Sequence, residues 1–310
     1  MGNGTVRVHL RGGLGNQLFQ YGAGFALARE SKRNLVIDSR LLPVKAESIR
    51  GISHWPEQIS LFDKDSQFIR GNSGQVEFRV LSRLLQYQRL MHEWGARLGT
   101  RFYPQNVFAN ESGNFSERFL NLQGDQIHIN SYCNDRKFFL GRDEEIRERV
   151  LSPKVITAQA SKAIEISREV RPIGLHVRLG DYKNLPHVYG QFDEGYYLRA
   201  ISLLQELAGS KRIWLFSDEP KLARNLMPGL PDSVEVPNFL ENLSGYETLL
   251  VLASTSSLVA SSSSFSWWAA FLGEKPGFRA IFPRPTFAVG GPAEPKSALL
   301  EDWIQLGRRT

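Results

Sequence analysis

Apolar residues along this chain keep two rhythms, and the alternation between them outlines an architecture. Val6, Val8 and Leu10 alternate with polar neighbours, as in a strand with one covered face. The glycine-rich turn Arg11-Gly12-Gly13-Leu14-Gly15-Asn16 follows. From Gln17 to about Lys32 the spacing becomes helical, and Leu35-Val36-Ile37-Asp38 reads as a second strand. Strand, turn, helix and strand in that order make a βαβ unit, the building block of parallel sheets.

From Pro43 to about Gly74 the rhythm fades, and Gly, Pro, Ser and Asp predict loops with short elements. Phe78 to Leu98 reads as a helix whose apolar stripe is broken by Arg83, Arg89 and Arg97, so it either covers a core or turns a basic side toward a membrane surface. Further helices are predicted over Glu144–Val150 and Ala158–Val170. The second half repeats the α/β rhythm more clearly. Its predicted strands are Ile173–Val177, Ile213–Phe216, Leu258–Ala260 and Arg279–Phe282. Its predicted helices are Glu194–Ala208, a short one through Leu226, Tyr246–Ala253, Phe265–Leu272 and a last one near Ser297–Leu306. A boundary at the end of the Ala158–Val170 helix divides the chain into residues 1–168 and 169–310. Two successive α/β domains predict a cleft, with ligands beyond the carboxyl ends of the strands.

Length and composition agree with this outline. At about 150 residues per domain, 310 residues suggest two domains. Apolar residues at 42% and charged residues at 23% are ordinary globular usage, which excludes disordered and collagen-like chains. A single cysteine, Cys133, excludes an intramolecular disulfide framework and a multi-cysteine zinc site, and it reads as a small core residue. The net charge of +6 favours an anionic partner such as a nucleotide without selecting one. No apolar signal-like run opens the chain and no 18-residue apolar stretch follows, so the expectation is a soluble cytoplasmic protein.

Four segments at predicted strand ends carry candidate chemistry. The Gly12–Asn16 turn opens a helix whose free N–H groups can meet an anion, or it is only a tight turn that needs glycine. In His176-Val177-Arg178-Leu179-Gly180-Asp181, strand alternation puts His176 and Arg178 on one side. The planar guanidinium suits phosphate, with Asp181 orienting it or accepting from a hydroxyl; a purely structural Arg–Asp pair is the alternative. Ser217-Asp218-Glu219-Pro220 offers a carboxylate for a base or ribose, or a helix cap. Ser261-Ser262-Ser263-Ser264-Phe265-Ser266-Trp267-Trp268 offers hydroxyls and amides at a helix start, or again a cap above a buried tryptophan pair. Asp63-Lys64-Asp65 spells an Asp-x-Asp, but in its loop-rich setting it reads as a solvated charge cluster.

Taken together these segments resemble glycosyltransferase family 11, the GDP-fucose-dependent α-1,2-fucosyltransferases. Gly12-Gly13-Leu14-Gly15-Asn16-Gln17-Leu18-Phe19-Gln20-Tyr21 is similar to the family's N-terminal motif almost letter for letter. His176–Tyr182, Phe216-Ser217-Asp218, Ser263–Ala270 and Glu301-Asp302-Trp303-Ile304 follow in family order. The resemblance implies a GT-B-like α/β fold of two Rossmann-like domains, with parallel sheets facing across a cleft. The N-terminal domain would be the acceptor side and the C-terminal one would bind the GDP-sugar.

It also implies an inverting transfer of L-fucose from GDP-β-L-fucose to a hydroxyl, O2 of a galactoside, with no metal or other cofactor. Carried over residue by residue, Arg178 would neutralise the β-phosphate; the chemistry of the transfer, apart from the resemblance, makes Asp181 the residue expected to assist or organise the acceptor's attack. His176 and Asp218 would lie near the guanosine, and Ser263 and Ser264 would donate to the diphosphate. Ser217, Ser262 and Phe265 complete the donor side, and Gly13, Gly15, Asn16 and Gln17 would line the cleft from the other domain. Two positions depart: the family usually has a second arginine where this chain has Leu179, and asparagine where it has Ser262. The implied acceptor is a galactose-containing oligosaccharide or lipid-linked glycan. Nucleic acid is not an expected partner, and peripheral contact at the inner face of a bacterial cytoplasmic membrane is. Transfer of another GDP-linked sugar, colitose or L-galactose, and an inactive GDP-sugar or carbohydrate-binding protein are the alternatives.

Overall fold

A computed structural model of the chain describes residues 4–49, 52–70, 106–108, 113–180, 193–286 and 299–308. Asp181 and the predicted basic helix at Phe78–Leu98 lie outside the described residues. The chain divides into two compact units. One comprises Met1–Ile49 and Ser53–Ser152, and Pro153–Thr310 makes up most of the other.

In the first unit, β1 (Thr5–His9) and β2 (Asn34–Asp38) flank α1 (Leu14–Glu30). The short strands β3 (Glu47–Ile49) and β4 (Ile52–His54) pair with each other. The main sheet is completed by β5 (Gln67–Ile69), β6 (Val107–Phe108) and β7 (Gln126–Ile129), in the order β5-β2-β1-β7-β6, with every pairing parallel. Val6 and Val8 turn to α1, where a Cβ on Gly24 would stand 2.2 Å from Val8, so a glycine lets helix and sheet touch. The helix begins at Leu14 rather than Gln17, so Gly15 and Asn16 belong to its first turn. α2 (Asp143–Val150) closes this unit.

The second unit runs from Pro153, about fifteen residues before the boundary read from the sequence, and its first helix is α3 (Ala158–Val170). The reason is its partner. α6 (Gly245–Ser254) is capped by a reciprocal Ser244–Glu247 box, and Glu247 also accepts the amide of Thr157 at 2.9 Å, which fixes the start of α3. The sheet comprises β8 (Ile173–Val177), β9 (Ile213–Ser217), β10 (Val234–Glu235), β11 (Ser257–Val259), β12 (Ala280–Arg284) and β13 (Ile304–Gly307). They run β10-β9-β8-β11-β12-β13, all parallel. Counted from β8 this is 3-2-1-4-5-6, the dinucleotide-binding order of the Rossmann fold. α4 (Glu194–Ala208), α5 (Pro220–Asn225) and α7 (Ser264–Gly273) connect the strands, and a core of Leu175, Val177, Ile201, Leu204, Ile213, Leu215 and Ile281 fills the space beneath α4. The fold is therefore α/β, with one doubly wound parallel sheet per unit.

The tail corrects the sequence reading: a helix was expected near Ser297–Leu306, and β13 stands there instead. Trp303 stacks on Phe282 at 4.8 Å, meets Trp267 edge-on and donates its indole N–H to Glu274. With that anchor fixed, Ile304 and Leu306 alternate with exposed Gln305 and Gly307 in parallel register with Ile281–Arg284. Among the described residues no helix is long and apolar enough to cross a membrane.

Candidate functional site

The strand order of the second sheet reverses between β8 and β11, so the loops leaving those two strands border one crevice at the carboxyl edge. Arg178 leaves β8 there. Its Nη1 lies 2.8 Å from Asp218 Oδ2, at the end of neighbouring β9, and both side chains are less than one-fifth exposed. The other oxygen, Oδ1, accepts the amide of Leu179 at 3.0 Å. Asp218 thus fixes both the guanidinium and the backbone behind it. A Cβ on Gly180 would fall 2.3 Å from Asp218 Oδ2, so only glycine lets the chain pass under this pair. Leu179 points the other way, into the core, and is 3% exposed.

His176, two residues back on β8, is buried with its Nδ1 2.6 Å from Ser266 Oγ and 3.1 Å from Ser261 Oγ. The amide of Ser261 donates to Ser266 Oγ at 3.1 Å, so the two serines that hold the His176 ring are themselves tied together. Burial, helped by the charge of Arg178, lowers the His176 pKa to about 3, so the ring is neutral at physiological pH.

The serine run divides its labour. Ser261 and Ser266 hold His176, Ser262 accepts from Arg308 Nη2, and Ser263 caps α7 by accepting the amide of Phe265 at 3.2 Å. Ser263, Ser264 and Phe265 are the half-exposed members, with the Phe265 ring 5.2 Å from His176. Ser217 accepts the amide of Glu219 at 3.1 Å; the helix α5 itself starts on Glu219 and Pro220, without the side-chain cap that the sequence offered as an alternative. Tyr196 lies behind the loop, its hydroxyl 2.7 Å from Ala260 O and 3.0 Å from Ile281 O, which ties the ends of β11 and β12.

The first sheet reverses between β1 and β7, and the glycine turn leaves β1 at that point. Gly12 has φ +76°, a left-handed conformation that favours glycine, and a Cβ there would meet Asn16 Nδ2 at 2.7 Å. Gly13 is the N-cap of α1, and the N–H groups of the first turn, Gly15 and Asn16 included, have no acceptor within the helix. Gln17, expected to line the cleft, is fully buried: its amide donates to Gly12 O at 3.1 Å and Pro56 O at 3.0 Å, and its carbonyl accepts from Gln58 N. Gln20 is equally buried and exchanges two bonds, 2.9 and 3.1 Å, with the backbone of Arg11. Both glutamines shape the turn from behind. Arg11 Nη2 donates to Asn130 O, and its guanidinium covers Tyr132.

Asp63-Lys64-Asp65 is no solvated cluster: Asp63 is 1% exposed and Asp65 69%, and both carboxylates meet Arg149, at 3.4 and 2.6 Å. Arg149 in turn lies 4.7 Å over Phe25, which locks α2 to α1. Among the described residues no three His, Cys, Asp or Glu side chains gather as metal ligands would. Cys133 is buried, and burial pushes its thiol up to about 12, as suits a core residue.

The sequence reading missed Arg308, Tyr196 and the His176-holding role of Ser266. Ser266 had a signal, since it lies five positions beyond Ser261, just inside the helix that the serine run opens. Arg308 had none, because its position depends on β13.

The family model for glycosyl transferase family 11 matches residues 98–306. An alpha-1,2-colitosyltransferase of Escherichia coli is 23% identical over 287 residues, 91% of this chain and 92% of that protein. The O-antigen biosynthesis glycosyltransferase WbnK of Escherichia coli is 26% identical over 319 residues, 96% and 99% of the two chains. Among solved structures, POFUT1 in complex with GDP-fucose aligns at 13% identity and TM-score 0.49, covering 90% of this chain and 98% of that one. Fucosyltransferase NodZ from Bradyrhizobium aligns at 15% and 0.48, covering 88% and 94%. With its motifs at the strand ends and the family model spanning two-thirds of its length, the chain belongs to glycosyltransferase family 11.

Proposed function

We propose that this glycosyltransferase moves L-fucose from GDP-β-L-fucose to O2 of a galactoside within an oligosaccharide or lipid-linked glycan, with inversion and without a metal. The observation that carries the reading is Arg178, held by Asp218 at the switch point of the second sheet, beside the serine-capped start of α7. Breaking the bond from the anomeric carbon to phosphate oxygen leaves both electrons on the diphosphate, and charge grows there as the sugar becomes oxocarbenium-like. Preorganised donors aimed at that charge lower the barrier. Arg178 supplies a fixed cation, Ser263 and Ser264 supply hydroxyls, and the N-terminus of α7 supplies backbone amides beside the Phe265 amide that Ser263 caps. Neutral His176 adds no positive charge.

The acceptor hydroxyl approaches the opposite face of the sugar, forms the new C–O bond and gives up its proton; Asp181 is the proposed recipient or organiser of that proton. The second unit is thus read as the GDP-sugar side and the first as the acceptor side. Metal independence is supported by the commitment of Asp63 and Asp65 to Arg149. Two family relatives, one named for 1,2-linked colitose and one for O-antigen synthesis, support a surface-polysaccharide acceptor. The former also favours a second reading, in which colitose replaces fucose in the same site.

The test is GDP release from GDP-fucose and GDP-colitose over a panel of β-galactosides, with EDTA present. Transfer of fucose undiminished by EDTA supports the first reading, and transfer of colitose alone supports the second. GDP binding without turnover of either donor indicates an inactive binding protein, and loss of activity restored by manganese overturns the metal-free site.

A further inference from the structure

In the second sheet β13 is the edge strand, and the residue that follows it reaches back toward the switch point. Arg308 continues the ladder, its amide donating to Arg284 O at 2.8 Å, so its backbone is fixed. From there its side chain crosses the end of β12 and donates from Nη2 to the hydroxyl of Ser262, in the loop after β11. Two strand spacings amount to about 9.5 Å, which demands an extended arginine lying along the carboxyl edge of the sheet. Arg308 is partly buried, and its contact with Ser262 brings its guanidinium to the loop after β11, the strand next to the β8 that Arg178 leaves. The charge of Arg308 is also felt at Tyr197, where it opposes the effect of burial on the phenol, while Asp193 and Asp218 act in the same direction as burial.

We propose that Arg308 is a second fixed cation of the donor site, meeting the diphosphate from the β13 side while Arg178 meets it from β8. This rests on the GDP-sugar reading given above. Leu179, where the resemblance leads one to expect a second arginine, is packed in the core and can bring no charge to the crevice. A leaving diphosphate carries more than one negative charge, and one arginine already shared with a carboxylate leaves part of it unmatched. Arg308 meets Ser262 through a neutral hydroxyl, and that contact orients its cation. The same contact places the serine loop, and this gives the proposal a rival: an arginine that only staples Ser262.

Charge and stapling separate by substitution. Arg308→Gln keeps a donor for Ser262 and removes the charge; Arg308→Lys keeps the charge and removes the fork. Calorimetric titration with GDP, thermal unfolding without ligand, and donor kinetics are compared across wild type, both variants and Arg178→Gln. The expected result is a GDP affinity at least tenfold weaker for Arg308→Gln, mostly regained in Arg308→Lys, with unliganded unfolding unchanged and a higher KM for the donor. Arg308→Met takes the place of the glutamine variant if that one fails to fold. Wild-type GDP affinity in Arg308→Gln, or equal losses in the Gln and Lys variants, overturns the proposal. If Arg178→Gln loses affinity while Arg308→Gln does not, only this inference falls; if wild type binds no GDP, the nucleotide reading falls first.

Discussion

The two sheets solve the same topological problem with different chemistry. Each reverses strand order beside its first strand, and each sends a polar loop from that strand into the resulting crevice. In the second unit that loop carries Arg178, and the neighbouring strand ends add Asp218 after β9, Ser263 and Ser264 after β11 and Arg308 after β13. In the first unit the polar side chains are spent on the main chain. Gln17 and Gln20 are fully buried, and each satisfies two or more backbone groups of the turn or its neighbours. One crevice gathers charged side chains and hydroxyls; the other is a mostly neutral edge built around backbone groups. A family motif can be equally specific in both places, leaving side chains partly open in one and spending them on the scaffold in the other.

Matched substitutions at the two loops give the largest expected difference. Arg178→Gln removes a preorganised donor and should lower kcat about 10²–10³-fold with unfolding unchanged. Arg11→Gln, whose parent side chain donates to Asn130 O and covers Tyr132, should lower it less than about tenfold on the same scale. Steady-state kinetics of both variants with one donor decide the matter. Equal losses would mean that the first crevice also bears on the leaving group.

Stability should show the opposite bias. Gln20→Leu leaves the amide and carbonyl of Arg11 without their partner in a buried setting, at a cost of about 2–3 kcal/mol. The loss is read from urea unfolding, with donor KM unchanged. A stable variant with poor KM would instead make Gln20 part of the binding surface.

Much of this was visible before any coordinates. In the second unit the strand β8 and the helix α4 fall on the residues that periodicity marked, because Leu175, Val177, Ile201 and Leu204 each face one core. The motif residues His176, Arg178, Asp218 and the serines do meet at one strand edge. What stayed hidden depended on partners distant in sequence. Gln126–Ile129 is four residues long with two apolar positions, too short for a periodic signal, and yet it becomes the neighbour of β1. The tail is a strand because Trp303 finds Phe282 and Trp267. Asp218 meets Arg178, a pairing that strand order creates and spacing does not reveal.

Acid separates the units by a smaller margin. His176 and His9 are both held neutral by burial, at about 3 and about 4 against an ordinary 6.5, but His9 has Asp38 3.5 Å away pulling in the opposite direction. Unfolding lets each histidine take up a proton, so their contribution is complete above pH 6.5 and is lost as pH falls toward the folded values. For His176 alone the loss between pH 7.5 and 5.5 is about 1.4 kcal/mol. In His176→Asn the stability–pH slope over that window should flatten by this amount, whatever the variant's absolute stability. An unchanged slope would mean that the ring is already charged in the folded protein.

The smallest expected effect lies where a metal reading of the sequence would put a large one. Asp65 is 69% exposed and meets Arg149 at 2.6 Å, so solvent screens the pair and Asp65→Asn should cost no more than about 0.5 kcal/mol. Asp63 differs: it is 1% exposed beside the same arginine, and its loss leaves Arg149 with only the exposed partner of the two. The pair therefore predicts an asymmetry, with Asp63→Asn lowering stability more than Asp65→Asn and neither changing kcat beyond what folding explains. Metal ligands would behave otherwise: both variants would lose turnover together, and added manganese would partly restore it. Measuring kcat and unfolding for the two variants, with and without EDTA, separates a carboxylate pair that locks α2 onto α1 from one that holds a cation for the reaction.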